Sequence, residues 1–430
     1  MHEGALARTA QEVRGGAAGA STSERGRAMR KTRDDRDVRA PGGAGRGTRG
    51  AADDAPSGRG VTEGAASGGA AEGAASGGVA DGAALVELLE LGAAQTARGL
   101  VVYPLFAKTD GGPWYMTSAE AIGDGQAYIT EVDEGGSVPN LRVVNKGDTR
   151  VLILDGEELR GAKQNRVLNT SILVGEHSSL VIPVSCTEHG RWNYATHEFA
   201  AADFVAERDV RRAMRRSVNA SVVCGRGFVS DQGEVWDRVA DFEEKHGVRS
   251  RTGAQADTFQ RRKADLDALL AAFPLVDGQQ GMLVVHGDEI VGLDLVSIPE
   301  KYVGLHDKLL RSYVVEALVS EREVDDDPAL ARSFLERIAD LEAQSFKSPG
   351  LGWDLRFEGN GVLGSVLTYR GRVIHAAFFD VGGVAGSGRG AAGGRGGRSQ
   401  AQFRLQPQWR IADARERARR RQMRQTAGET

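Results

Sequence analysis

Side chains able to hold an anion, move a proton or attack an electrophile are concentrated between residues 151 and 192. The run Gly161-Ala162-Lys163-Gln164-Asn165-Arg166 sets two cations and two carboxamides beside a glycine, which allows close backbone approach. Such a group can surround a phosphate or a ribose, with the Arg166 fork suited to two parallel bonds. Asn169 offers a further amide, and Arg191-Trp192 adds a cation and an indole able to stack on a base. Glu157, Glu158 and Glu188 are candidate general bases or metal carboxylates. Cys186, within Pro183-Val184-Ser185-Cys186-Thr187-Glu188-His189, is a candidate nucleophile that His189, Arg191 or a distant His375 would have to activate.

Each candidate has a structural alternative. The carboxylates can pair with Lys163, Arg166 or Arg191, the amides can cap backbone groups, and a cysteine on a strand is commonly inert packing. Trp192 is equally at home in a core. His177, His189 and His197 lack the spacing of a metal site, so none is expected, and nothing in the pattern names a cofactor. Asp294 lies inside the apolar stretch Val291-Gly292-Leu293-Asp294-Leu295-Val296, where a carboxylate needs a partner or a ligand. His375, among apolar neighbours, reads as a hydrogen-bonded core histidine.

The elements that position these residues are mostly short strands. Residues 151–154, 167–174 and 180–184 are apolar, β-branched runs, each followed by one of the polar clusters. With 100–105, 128–132 and 141–144 they predict an antiparallel sandwich or partial barrel over about 99–195. Thr117 and Glu120 have capping-box spacing, which predicts a short helix over 119–122. A helix is also expected over 85–91. Beyond residue 200 helical spacing dominates at 203–218, 234–246, 255–273, 299–319 and 330–344, alternating with strands at 281–285, 289–298, 353–357, 362–369 and 373–379. The fold class expected is α+β, a β-rich sandwich or partial barrel with inserted helices, over 83–380.

Both ends are expected to be disordered. Residues 1–82 are nearly all Gly, Ala, Ser, Arg and Asp, with a nine-residue repeat (Glu63-Gly64-Ala65-Ala66-Ser67-Gly68-Gly69-Ala70-Ala71) too poor in apolar groups to stack. Residues 381–430 are Arg/Gly-rich. Residues 1–82 carry 12 Lys+Arg against 11 Asp+Glu and residues 381–430 carry 11 against 3, so a net charge of −4 leaves about −13 on the middle. An acidic body with a basic tail is a poor candidate for a globular nucleic-acid surface; contact with RNA or an acidic partner would fall to the tail, though no aromatic residues interleave its Arg/Gly run. Two cysteines are too few for a disulfide framework and fit a reducing cytoplasm. No apolar run is long enough for a transmembrane helix, so no membrane is expected as a partner.

The strings Leu154-Asp155-Gly156-Glu157-Glu158-Leu159, Gly161-Ala162-Lys163-Gln164-Asn165-Arg166-Val167-Leu168-Asn169-Thr170-Ser171 and Ile182-Pro183-Val184-Ser185-Cys186, with Glu188 and Gly190-Arg191-Trp192, carry a likeness. Together they resemble the bacterial ADP-ribosylglycohydrolase and rhodanese-phosphatase-superfamily-associated protein domain family, over about residues 85–380. The resemblance implies a role beside enzymes of ADP-ribose and NAD-derived nucleotide metabolism, and it carries over no catalytic residue. The expectation is therefore a cytoplasmic protein that binds, or hydrolyses, an ADP-ribose-like phosphorylated nucleotide. The alternative is a non-catalytic scaffold or regulatory module. On the first, Lys163, Arg166 and Arg191 neutralise phosphate, Gln164, Asn165 and Asn169 bond ribose or base, and Glu157 or Glu188 acts as base.

Overall fold

Alternation of buried and exposed residues along 127–131 and 140–145 gives one-sided strands, and one-sided strands must curl or stack to hide their apolar face. The computed structural model describes residues 81–382, apart from 109–111, 134, 137, 321, 325 and 326. The segments expected to be disordered, including the basic tail offered to RNA, lie outside the described residues save for their inner ends.

The chain opens with α1 (Gly82–Glu87), β1 (Leu89–Leu91), β2 (Gln95–Ala97), β3 (Leu100–Ala107), β4 (Tyr115–Thr117) and α2 (Ser118–Gly123). The strands β5 (Ala127–Glu131), β6 (Asn140–Asn145), β7 (Arg150–Ile153), β8 (Glu157–Gly161), β9 (Arg166–Leu168), β10 (Ile172–Val174), β11 (Ser178–Cys186) and β12 (Phe199–Val205) follow. Helices α3 (Arg208–Val223), α4 (Gln232–Lys245), α5 (Gln255–Arg261) and α6 (Lys263–Leu270) lead to β13 (Gly281–His286) and β14 (Glu289–Val296). Then come α7 (Pro299–Val303), α8 (His306–Val314), α9 (Ala329–Ala339), β15 (Gln344–Lys347), β16 (Trp353–Gly359), β17 (Val362–Tyr369) and β18 (Arg372–Asp380).

Among the described residues these strands form three sheets, antiparallel except where β4 meets β7. One runs β12-β8-β9-β11-β6-β5 and curls until Thr130 and Glu198, at its two edges, form an antiparallel bridge. The inside of this half-barrel is packed with Ile129, Leu141, Val143, Leu159, Leu168 and Ile182, and the small sheet β10-β7-β4 covers it with Ile153 and Ile172. The largest sheet runs β1-β3-β13-β14-β18-β17-β16-β15, with β2 also on β3. It is apolar on both faces: Leu100, Val102, Met282 and Val284 join the core shared with α6 and α8, while Val101, Tyr103, Leu283 and Val285 pack against α9. The fold is α+β, and its half-barrel is the partial barrel expected.

The expected capping box is present: Glu120 N donates to Thr117 Oγ1 at 3.2 Å and Thr117 N to Glu120 Oε2 at 2.7 Å. Several boundaries differ from expectation. The helix over 85–91 stops at Leu88, because Leu89–Leu91 pairs with β3 and ladder bonds outweigh helical spacing. The strand at 100–105 belongs to the largest sheet and not to the barrel. The run 167–174 is two strands in different sheets, split at Asn169-Thr170-Ser171, whose side chains find partners in other elements. Residues 203–205 finish β12 before α3 starts, 255–273 divides at Arg262, and 299–319 breaks at Gly304.

Candidate functional site

The polar run 162–165 is the loop joining β8 to β9, and its shape is fixed from outside. Ala162 has φ 37° and Gly161 φ 131°; a Cβ on Gly161 would lie 2.4 Å from Thr196 Oγ1 and 2.8 Å from the Glu198 carbonyl, so only glycine fits there. Arg191 holds the loop. It donates from Nη1 to Ala162 O (2.6 Å) and Asn193 O (3.1 Å), and from Nη2 to Gly161 O (3.2 Å) and Asn165 Oδ1 (3.2 Å). Its Nε and Nη2 also grip Glu188 bidentately, at 2.9 and 2.6 Å. Glu188 in turn accepts from Asn165 N at 3.0 Å and Thr252 Oγ1 at 2.8 Å. Burial pushes the Glu188 carboxyl up, but Arg191 and these donors outweigh it and hold it below the usual carboxylate range. With its donors all committed, Arg191 shapes the site, and Glu188 anchors it.

The loop delivers Arg166 to the barrel interior, where Cys186 is its cross-strand neighbour. Arg166 is 0 % exposed, and Nη1 donates to Gln164 Oε1 at 2.9 Å. Its Nη2 lies 3.9 Å from Oε1 of Glu131, a buried carboxylate on β5. Neither Nε nor Nη2 of Arg166 meets an oxygen or nitrogen acceptor, the Cys186 thiol being the guanidinium's further polar neighbour, and Glu131 Oε2 meets no donor. Among the described residues Nη2 of Arg166 is the only buried arginine terminal nitrogen in that state. Leaving such groups unmade costs roughly 1–3 kcal/mol each; Nε is open in Arg211 and Arg215 as well, so it is the open Nη2 facing the open Glu131 Oε2 that sets this pair apart.

Aromatic rings cover this end of the barrel. Trp192 is 48 % exposed and Tyr194 43 %. The Lys163 ammonium lies 5.5 Å from the Trp192 ring centre and 5.1 Å from that of Tyr194, and the Arg166 guanidinium carbon is 5.6 Å from Trp192. Lys163 also donates to Gly135 O at 2.7 Å, and its backbone N–H to Glu131 Oε1 at 3.3 Å. The thiol of Cys186 is pushed by burial up to about 11, although the charge of Arg166 pulls the other way.

Lys163, Gln164, Asn165, Arg166, Cys186, Glu188, Arg191 and Trp192 are thus brought together. Glu157 and Asn169 find their partners elsewhere. Glu157 accepts from Lys308 Nζ at 2.6 Å, from Leu154 N at 3.0 Å and from Ser118 Oγ. Asn169 accepts from Ser185 Oγ at 2.7 Å and donates to Phe228 O at 2.9 Å. Glu158 faces away from the barrel interior and accepts from Gln255 Nε2 (2.7 Å) and Thr187 Oγ1 (2.9 Å), with burial pushing its carboxyl up to about 8. Glu131 is the site residue that motif reading misses. Its signal is register: Ala127, Ile129 and Glu131 share the inward face of β5.

A second polar cluster lies between the barrel and the largest sheet. Side chains of Asp155, Asp294 and His375 offer ligand atoms all within 4.8 Å of one another, which is metal-site spacing. Guanidinium groups already fill it. Arg211 donates to both oxygens of Asp294 at 2.8 Å and to Asp155 Oδ1 at 3.2 Å, and Arg215 bonds the other Asp155 oxygen. Asp294 has the buried partner its sequence context requires. His375 Nε2 lies 3.2 Å from Asp294 Oδ1 and Nδ1 2.8 Å from Ser171 Oγ, so assignment from partners puts the proton on Nε2. Burial lowers the His375 pKa against the pull of Asp294, leaving the ring neutral.

These features define an α+β protein with a half-barrel whose one end encloses an incompletely bonded arginine–carboxylate pair beneath exposed aromatics. The chain belongs to the ARG and Rhodanese-Phosphatase-superfamily-associated Protein domain family, whose model matches residues 88–379. No curated protein and no solved structure matches it. Among the described residues no helix is long and apolar enough to cross a membrane.

Proposed function

We propose that this chain binds a phosphorylated nucleotide of the ADP-ribose type at the barrel end built from Arg166, Lys163, Glu131 and Trp192. The observation that carries the reading is the buried Arg166 with two unpartnered donors, next to an unpartnered carboxylate oxygen and under a half-exposed indole. Unmade bonds of this kind are what a ligand completes. Trp192 supplies a stacking surface, the buried Lys163 a cation close to the rings of Trp192 and Tyr194, and Gln164 and Asn165 the amides that shape the loop. The family description associates this domain with ARG and rhodanese-phosphatase proteins; taking ARG as ADP-ribosylglycohydrolase, as the resemblance drawn from the sequence does, supports an ADP-ribose-like ligand.

Binding is favoured over hydrolysis. A thiol raised to about 11 is not a nucleophile at neutral pH, Glu188 is engaged by Arg191, and Glu157 by Lys308. Two free cysteines, one buried and one exposed, suit a reducing compartment such as the cytoplasm. Calorimetry of the full chain with ADP-ribose, NAD and AMP tests the reading. Saturable heat is expected from at least one. Silence from all three at millimolar ligand, about −4 kcal/mol of binding at most, removes it.

A further inference from the structure

We infer that the Arg166–Glu131 pair reads the hydrogen-bonding edge of a nucleobase, so that the nucleotide enters this site base first with its phosphates at the rim. The inference rests on the nucleotide reading above and turns on charge. An oxyanion is held best by donors that have no open carboxylate oxygen facing them. Here Glu131 Oε1 stands 3.9 Å from Arg166 Nη2, and the second oxygen of the same carboxylate is the one left without a partner. A phosphate on the free donors of Arg166 would sit against that carboxylate and be repelled by it.

What completes both groups is a neutral planar edge with an acceptor beside an N–H donor. The acceptor takes the Nε–Nη2 side of Arg166, and the donor meets Glu131 Oε2. Nucleobases carry such an edge: N7 and the 6-amino group of adenine, or O6 and N1–H of guanine. A carboxylate, or the bridged phosphates of ADP-ribose, has no donor to give at neutral pH. Trp192 supplies the flat apolar surface a base needs, its ring centre 5.6 Å from the guanidinium carbon of Arg166. The ammonium of Lys163, near the two half-exposed rings of Trp192 and Tyr194, then lies where the charged end of the ligand emerges. Entry requires Trp192 to lift from Arg166, which an exposed side chain in the connection between β11 and β12 can do.

The test is competition calorimetry on the full chain with ADP-ribose, adenosine, guanosine, purine riboside, ribose 5-phosphate and inorganic pyrophosphate. At least one of adenosine and guanosine is expected to bind within about tenfold of ADP-ribose. If it is adenosine, purine riboside, which keeps N7 and lacks the amine, should bind about tenfold more weakly than adenosine or worse. Ribose 5-phosphate and pyrophosphate should not compete. In Glu131→Gln, which keeps the volume and removes the charge, pyrophosphate should gain affinity. If pyrophosphate or ribose 5-phosphate displaces ADP-ribose from the wild type and both nucleosides fail, the inference is overturned while nucleotide binding stands. If ADP-ribose itself does not bind, the underlying reading falls and this one with it.

Discussion

Arg166 and Glu131 meet inside the half-barrel at 3.9 Å, each with at least one polar atom that bonds to nothing in the protein. A structural ion pair closes its terminal nitrogens on the carboxylate, as Arg211 does with both oxygens of Asp294 at 2.8 Å, leaving only Nε open, whereas in Arg166 Nη2 is open too. The contrast between these two buried pairs separates a site from a scaffold. It also predicts opposite responses to mutation.

Replacing Arg166 and Glu131 together by Met and Leu removes two incompletely bonded charges at the loss of one bond to Gln164 and one from the Lys163 N–H. The double variant should be as stable as the wild type, or more stable by about 1–4 kcal/mol, and should bind no nucleotide. Urea denaturation and calorimetry check both halves. A loss of stability by several kcal/mol would mean that the pair serves the fold.

Asp294→Asn should behave in the other direction. It leaves Arg211 buried with Asp155, at 3.2 Å, as its remaining charged partner, and the cost should be about 3 kcal/mol in urea denaturation. Because guanidinium groups occupy the space among Asp155, Asp294 and His375, Zn²⁺ or Mn²⁺ should leave the Tm of the wild type unchanged. A metal-dependent rise in Tm that Asp294→Asn abolishes would reverse this assignment.

Glu158 gives a pH signature. Its carboxyl is raised from 4.5 to about 8 by burial, so it is protonated in the folded protein at neutral pH, whereas the unfolded chain has released that proton. The stability it contributes is full below about pH 4.5 and is lost as pH rises toward 8. Glu158→Gln keeps an acceptor for Thr187 and Gln255 and cannot ionise. The variant should therefore gain on the wild type as pH goes from 5 to 8. A gap that stays constant across that range would show that Glu158 titrates normally.

Glu188 has the opposite sign. Its folded pKa is depressed, so its contribution is present above the unfolded value and is lost as pH falls through the folded one. Glu188→Gln should lose less stability than the wild type on acidification below about pH 4.5. It should also loosen the loop that Arg191 holds, seen as faster amide exchange at Ala162 and Asn165. Equal acid sensitivity of the two proteins would contradict the staple.

How far the sequence reads follows from what each feature depends on. Period-2 alternation at 127–131 and 140–145 is local, and the half-barrel follows from it. The capping box at Thr117 and Glu120 is local too. The split of 167–174 is written in Asn169-Thr170-Ser171, but a run of apolar residues on both sides masks it until Asp354 and His375 are seen to bond Thr170 and Ser171. Strand 100–107 reads like a barrel strand because partnership with β13, nearly two hundred residues on, leaves no local mark. At the site, the gathering of Lys163, Arg166, Glu188 and Arg191 follows from their closeness in sequence. The division of labour does not: Arg191 bonds backbone carbonyls, which no side-chain pattern reveals, and the partner of Arg166 is a glutamate from another strand.

Hydrogen–deuterium exchange of the full chain with and without ADP-ribose tests the location of the site most directly. Protection confined to residues 131–136, 162–166 and 187–198 is the predicted result, with the second cluster at Asp155, Asp294 and His375 unchanged. Protection centred on that second cluster, with the barrel end unaffected, would contradict the account.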